Sequence, residues 1–131
     1  MKYFLIFFSI FGFCNCTETN LYEFSIENHL INKIVKIVPT SISDIWISQD
    51  DYYIVYPHEK IIIGSKIIFD GRLTAKDLYK TDDIIVPFDL YVDNKKQEKT
   101  LSCRKYWNFT LGKVAFSGKY TLFINDHILN D

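Results

Sequence analysis

Wherever this chain shows a period beyond residue 20, the period is two, and that limits the fold more than any other feature. In YEFSIEN, Tyr22, Phe24 and Ile26 fall on one side and Glu23, Ser25 and Glu27 on the other. Successive side chains alternate across a strand but recur every 3.6 residues on a helix, so the pattern describes a half-buried strand. NHLINK (28–33) reads as a turn and KIVKIVP (33–39) as a second strand, stopped by Pro39. DIWIS (44–48) and YYIVY (52–56) read as two more strands. Pro57-His58-Glu59 then turns the chain into KIIIG, and a separate run, KIIFD, ends at Gly71.

The second half continues in the same way. IIVPFDLYVD points Phe88, Leu90 and Val92 inward, with Pro87 at an edge or bulge. NKKQEK is a charged hairpin loop, TLSCRKYWNF and KVAF return, and Ser117-Gly118 turns into KYTLFIND, where Tyr120, Leu122 and Ile124 share a face. TAKDLYK is the one credible helical turn, with Thr74 as cap and Asp77 three residues on. About seven to nine short strands separated by turn signals predict an all-β fold, a single antiparallel, immunoglobulin-like β-sandwich. Helix is expected only in the leader and over 74–80. No repeat of 20 to 50 residues is present, which excludes a solenoid.

The first residues carry a different message. Met1-Lys2 precedes an apolar run from Tyr3 to Phe13, the basic and hydrophobic regions of a secretory signal. The run stops well short of the roughly 18 apolar residues a spanning helix needs. At its end stands GFCNCT, where Phe11, Phe13 and Cys14 do not supply the small residues signal peptidase I prefers. The segment instead resembles a bacterial lipoprotein leader, cut just before a cysteine that receives acyl chains. Cys16 is the favoured attachment site because smaller Asn15 would precede the cut; Cys14 is the alternative. The expected organisation is a signal peptide over 1–15, a polar tether over 16–20 and a β-sandwich domain over 21–131. A zinc or thioredoxin-type reading fails because one residue, not two, separates the cysteines.

With the leader removed, about 116 of the 131 residues remain, enough for one core without disulfide staples. Losing Lys2 from the 15 basic residues leaves 14 against 16 acidic, so the domain carries no basic field for nucleic acid. If Cys16 is acylated, Cys103 is left alone; if Cys14 is the anchor, Cys16 becomes free to pair with Cys103. Arg104 and Lys105 beside Cys103 would favour a thiolate, but no motif supplies a base. Asn108-Phe109-Thr110 is a formal glycosylation sequon, relevant only in a eukaryotic source. The Lys/Phe/Cys leader, YPHEKIII and the closing GKYTLFIND are similar to those of small β-sandwich lipoproteins of Bacteroidetes. The richness in Ile, Lys, Asp, Asn and Tyr fits the same source. That resemblance implies an exported, lipid-tethered domain and transfers no catalytic residue.

Candidate chemistry is sparse. His29, His58 and His127 lie in separate turns or ends, whereas a metal site needs ligands that converge from fixed elements. Asp50-Asp51 and Asp82-Asp83 lack the alternating oxygen ligands and turn glycine of a calcium loop. No serine sits in a nucleophile frame and no glycine-rich loop cradles phosphate. Aromatics stand out instead: Trp46, Tyr52, Tyr53, Tyr56, Tyr106 and Trp107 flank polar turns. Trp46, Tyr52, Tyr53 and Trp107 are the stacking candidates for a glycan or partner, although β propensity places such residues in cores as well. The expected function is a lipid-anchored binding or assembly module of the cell envelope that takes a glycan or protein ligand. It is read as neither an enzyme nor a cofactor carrier. The alternatives are a lipid-anchored inhibitor or immunity protein and a small secreted hydrolase.

Overall fold

The computed structural model describes residues 20–41, 43–48, 50–68, 79–112 and 117–130. The leader, Cys14, Cys16, the tether up to residue 19, Thr74 to Leu78 of the expected helical turn, and KVAF lie outside them. Strands dominate: β1 (Asn20–Asn28), β2 (Val35–Pro39), β3 (Tyr53–Val55), β4 (Lys60–Ile68), β5 (Phe88–Val92), β6 (Lys95–Lys96), β7 (Trp107–Leu111) and β8 (Ser117–Ile124). A 3₁₀ turn over Arg104–Tyr106 precedes β7, and helix α1 (Asp126–Asn130) follows β8.

Two four-stranded sheets form, in the orders β4-β1-β8-β7 and β3-β2-β5-β6. Among the described strands every pairing is antiparallel except one. Strands β1 and β8 run parallel at the centre of the first sheet, from Leu21 opposite Ser117 to Asn28 opposite Ile124. The expectation of a wholly antiparallel arrangement is corrected here: period-two patterning fixes which face a residue takes and carries no information about strand direction.

Alternation does place the core. Tyr22, Phe24 and Ile26 of β1 and Tyr120, Leu122 and Ile124 of β8 are buried, and so are Val35 and Ile37 of β2 and Phe88, Leu90 and Val92 of β5. Side chains from both sheets belong to one hydrophobic cluster. Trp107 joins the two halves, meeting Phe24 edge-on at 6.3 Å and Phe88 edge-on at 6.4 Å between ring centroids.

Several local expectations change, among them the Ser117-Gly118 turn, which is the start of β8. KIIIG and the first three residues of KIIFD are one strand, because β4 continues through Gly64 to Ile68. Opposite Phe24 and Ser25 its partners are Gly64 and Ile62, so Ile63 is the extra residue of a β-bulge. That insertion turns buried Ile63 inward beside exposed Ile62. DIWIS forms only a bridge between Trp46 and Gly64, held by Ile47 N–H to Ile63 O and Ser65 N–H to Ile45 O. Ile45 O approaches so closely that a Cβ at position 64 would lie 2.5 Å from it, which is why glycine stands there. TLSCRKYWNF is split by the 3₁₀ turn, and α1 adds helix beyond β8 where none was expected.

Turns set the registers. Val92 pairs with Lys95 across Asp93 and Asn94, which have φ of 49° and 67°. Positive φ at both central residues is the type I′ geometry whose twist matches a hairpin. At Tyr56–Glu59, Glu59 N–H reaches Tyr56 O at 3.0 Å, Pro57 takes the second position and His58 the third at φ 64°. That is a type II turn, with proline where φ is preset.

Candidate binding surfaces

Asn28, at the end of β1, locks the two sheets together. Its Nδ2 donates to Lys33 O at 2.8 Å and to Val55 O at 3.0 Å, and its Oδ1 accepts from Leu30 N–H at 2.9 Å. Its backbone exchanges bonds with Glu59 O and His58 N–H. The residue is completely buried. Each of its side-chain polar atoms therefore has a partner, and the first sheet is tied to strand β3 of the second.

The aromatic candidates separate into three environments. Trp107 is 2% exposed and donates Nε1–H to Leu101 O at 2.9 Å. It belongs to the core, with no ring face open to a ligand. Tyr106 lies beside Lys99 and Lys105, whose ammonium groups sit 5.0 and 5.1 Å from its ring centroid. Trp46 and Tyr53, in contrast, are brought together: their rings stack at 5.5 Å with a 20° interplanar angle.

Trp46 of that stack lines a groove. The Tyr53 hydroxyl donates to Ser48 O at 2.9 Å and lies 3.1 Å from the Ser48 hydroxyl, which donates to Asp50 Oδ2 at 2.8 Å. These bonds link Ser48 and Asp50 to Tyr53. The groove, of about 360 Å³, is lined by Pro39, Thr40, Ser41, Trp46, Ser48, Asp50 and Asp51. Trp46 is 7% exposed, and its Nε1–H is buried without an acceptor among the described residues.

Tyr52 points the other way, onto the outer face of the second sheet. Cross-strand pairing places Ile54, Lys36, Tyr91 and Lys96 in one row across that face. The Lys36 ammonium sits 4.8 Å from the centroid of Tyr52 and 5.7 Å from that of Tyr91, within cation–π range. Tyr52 is 52% exposed, Tyr56 54% and Ile34 40%. A depression of about 310 Å³ runs between Ile34, Lys36, Ile54, Tyr56, Asp93 and Asn94. Lys96 pairs with Asp89 at 3.6 Å, while Lys36 has no carboxylate within ion-pair distance among the described residues.

The remaining candidates stay apart. His29 pairs with Glu27 at 3.0 Å and meets Phe123 edge-on, His58 occupies the type II turn, and His127 lies on α1. Asp83 closes a turn by accepting from Lys80 N–H at 2.8 Å, and its neighbour Asp82 is exposed. Among the described residues no three His, Cys, Asp or Glu side chains converge on a common point. Cys103 carries a free thiol, and its backbone bridges Ile84. Burial, then the Tyr22 and Asp83 charges, push the Tyr79 hydroxyl above its ordinary range.

Sequence reasoning missed Asn28 and Lys36. For Asn28 a signal existed: an Asn two residues before a leucine in NHL fits a side chain accepting the backbone N–H two positions on. For Lys36 the only signal was its place on the outer face of β2. No helix among the described residues is long and apolar enough to cross a membrane. Comparison with known protein families, curated proteins and solved structures finds no match.

Proposed function

We propose that this chain is an exported lipoprotein in which an immunoglobulin-like β-sandwich over 21–131 acts as a binding module of the cell envelope, without catalysing a reaction. In this reading residues 1–15 are the cleaved leader, Cys16 carries the lipid (Cys14 being the alternative) and residues 16–19 are the tether, since Asn20 already belongs to β1. The ligand is a protein that docks on the outer face of the second sheet.

The observation that carries the proposal is the cluster around Lys36. Single exposed apolar residues are ordinary, but a contiguous patch calls for an occupant. Here Tyr52, Tyr56 and Ile34 are all substantially exposed around one cation. Tyrosines supply large contact area with little side-chain entropy to lose, and they are enriched at interface centres. Among the described residues Lys36 has no carboxylate within ion-pair distance, so the complementary partner presents an acidic side chain within an apolar patch. An envelope assembly factor and a toxin neutralised by the protein are both proteins of that description, and identifying the partner distinguishes them.

The test has two steps. Crosslinking in intact envelopes identifies the partner, which is then purified and titrated against variants. Lys36→Glu and Tyr56→Ala should each weaken binding by about tenfold or more, a loss of ~1.4 kcal/mol, with melting temperature unchanged. Lys36→Arg should keep most of the affinity. Unaltered affinity in both disruptive variants would remove this face from the proposal.

A further inference from the structure

We propose that the free edge of β7 is an interface between two copies of this chain, in which β7 pairs antiparallel with β7 of the second copy about a twofold axis at Thr110. The edge belongs to the first sheet, so the inference does not depend on a protein docking on the Lys36 face.

Edge strands offer unpaired N–H and C=O groups to any other strand, and proteins blunt them with short length, lysine, proline or a bulge. Among the described strands the other edges are blunted in these ways. Strand β3 has three residues, and β6 is Lys95-Lys96 alone. Strand β4 is bulged at Ile63, carries Lys60 and Lys66, and is bridged by the backbone of Ile45 and Ile47. Strand β7 differs. Its residues, Trp-Asn-Phe-Thr-Leu, include no charge, proline or glycine, and its pairing with β8 runs without a bulge.

The register tells which groups are free. Gly112 N–H donates to Ser117 O at 2.9 Å. Hydrogen-bonded residues alternate along an antiparallel pair, so Thr110 and Asn108 also turn their backbone groups toward β8. Trp107, Phe109 and Leu111 turn theirs outward. Trp107 is satisfied within the chain, since its N–H donates to Arg104 O and its carbonyl accepts from Arg104 Nη1 at 2.6 Å. Phe109 and Leu111 have no outward backbone partner among the described residues. These two fit each other. With Thr110 opposite Thr110 of the second copy, Phe109 of each chain faces Leu111 of the other, and each pair exchanges both N–H···O bonds. The side chains agree. Leu111 is 67% exposed and shares a face with Phe109, whose ring lies 4.9 Å from that of Tyr120, so the pairing covers the leucine. Threonines oppose favourably across strands, and β7 brings no charge to meet its like. The arrangement is isologous, the commonest kind in homodimers. A strand from another protein could use the same bonds, but it would place no second Thr110 on the axis.

Opposed residues that exchange no hydrogen bonds have Cα atoms about 4.5 Å apart, within disulfide reach. Thr110→Cys is therefore made in the full-length protein carrying Cys103→Ser, purified as cells make it, and oxidised with copper phenanthroline. It should run as a covalent dimer on non-reducing gels. Asn108→Cys, exposed on the same face, is the control. Its counterpart would lie about 13 Å away along the strand, so its dimer yield should be lower by about fivefold or more. Sedimentation equilibrium gives a second reading. The paired segment is short, so the unmodified chain should associate with a Kd of about 0.1–1 mM. Thr110→Lys and Thr110→Glu should each stay monomeric, and an equimolar mixture of the two should recover the dimer mass. Lys36→Glu should leave association unchanged, which separates this edge from the Lys36 face. If a charged variant does not melt cooperatively, the two cysteine variants carry the test. Equal dimer yields from Thr110→Cys and Asn108→Cys would overturn the proposal. So would a wild-type chain that stays monomeric at millimolar concentration, or a Lys/Glu mixture that does.

Discussion

Single residues carry much of this molecule's stability, and Asn28 is the clearest case. Its side chain makes three hydrogen bonds in a fully buried setting. Asn28→Ala leaves two carbonyls and one N–H without that partner, at about 1–3 kcal/mol for each group left unmet. Chemical denaturation should therefore show a loss of about 3 kcal/mol or more, whereas Asn108→Ala, exposed on β7, should change little. The two tryptophans should also part company. Trp107→Ala removes the residue that joins the sheets and should cost about 3–5 kcal/mol. Trp46 also belongs to the core cluster, and Trp46→Phe, which keeps a ring there, should cost less than Trp107→Ala. Tyr79 supplies a pH dependence. Its folded-state pKa is raised, so between the unfolded and folded values the unfolded chain has released a proton that the folded chain retains. Stability from this group is complete below the unfolded value of about 10 and falls as pH rises through the folded pKa. The difference in unfolding free energy between wild type and Tyr79→Phe, followed from pH 9 to 11, should shrink in that direction.

Elements show why some of the structure could be read from the sequence and some could not. Strands β1, β2, β5 and β8 are legible because each alternates cleanly and buries one complete face. DIWIS also alternates, yet it forms one bridge, because what admits it is Gly64, some twenty residues on in another strand. In KIIIGSKII every reading frame is apolar, so the bulge at Ile63 decides the facing and only the partner strand reveals it. The β5–β6 turn had a local signal, Asp93-Asn94 between Val92 and Lys95, that the charged NKKQEK obscured. Asn94 sits at φ 67°, where L-residues other than Asn, Asp and Gly pay about 1–2 kcal/mol. Asn94→Gly should therefore hold or raise the denaturation midpoint, and Asn94→Val should lower it. The same limit applies to the sites. Trp46 and Tyr53 could be named from the sequence, but their stacking depends on a loop closed by Ser48. Trp107, equally close to polar neighbours, faces the core because it begins β7 opposite Leu122.

At the scale of the whole molecule, far-ultraviolet circular dichroism should show a β spectrum with less than about a third helix; a larger helical share would contradict the two-sheet architecture. On the proposed lipoprotein reading, replacing Cys16 with Ala should release the protein from membranes or leave its leader uncut, and Cys14→Ala should not; if neither change matters, that reading falls. Loss of membrane retention from the Cys14 change alone would move the lipid to that residue and open a Cys16–Cys103 pairing. Stable retention needs more than one acyl chain, since a single chain binds only marginally, and metabolic labelling with a fatty acid reads attachment directly. The parallel pairing of β1 with β8 has a consequence in time. Ser25 on the first strand meets Thr121 on the last, 96 positions away. A polypeptide emerges from a ribosome or export channel N-terminus first, so β1 waits for almost the entire chain before its central neighbour exists. Contacts of such long range place folding in the slow, millisecond-to-second class. Until then the apolar side of β1 stays open to chance association, and a holding factor would have its work during transit rather than afterwards.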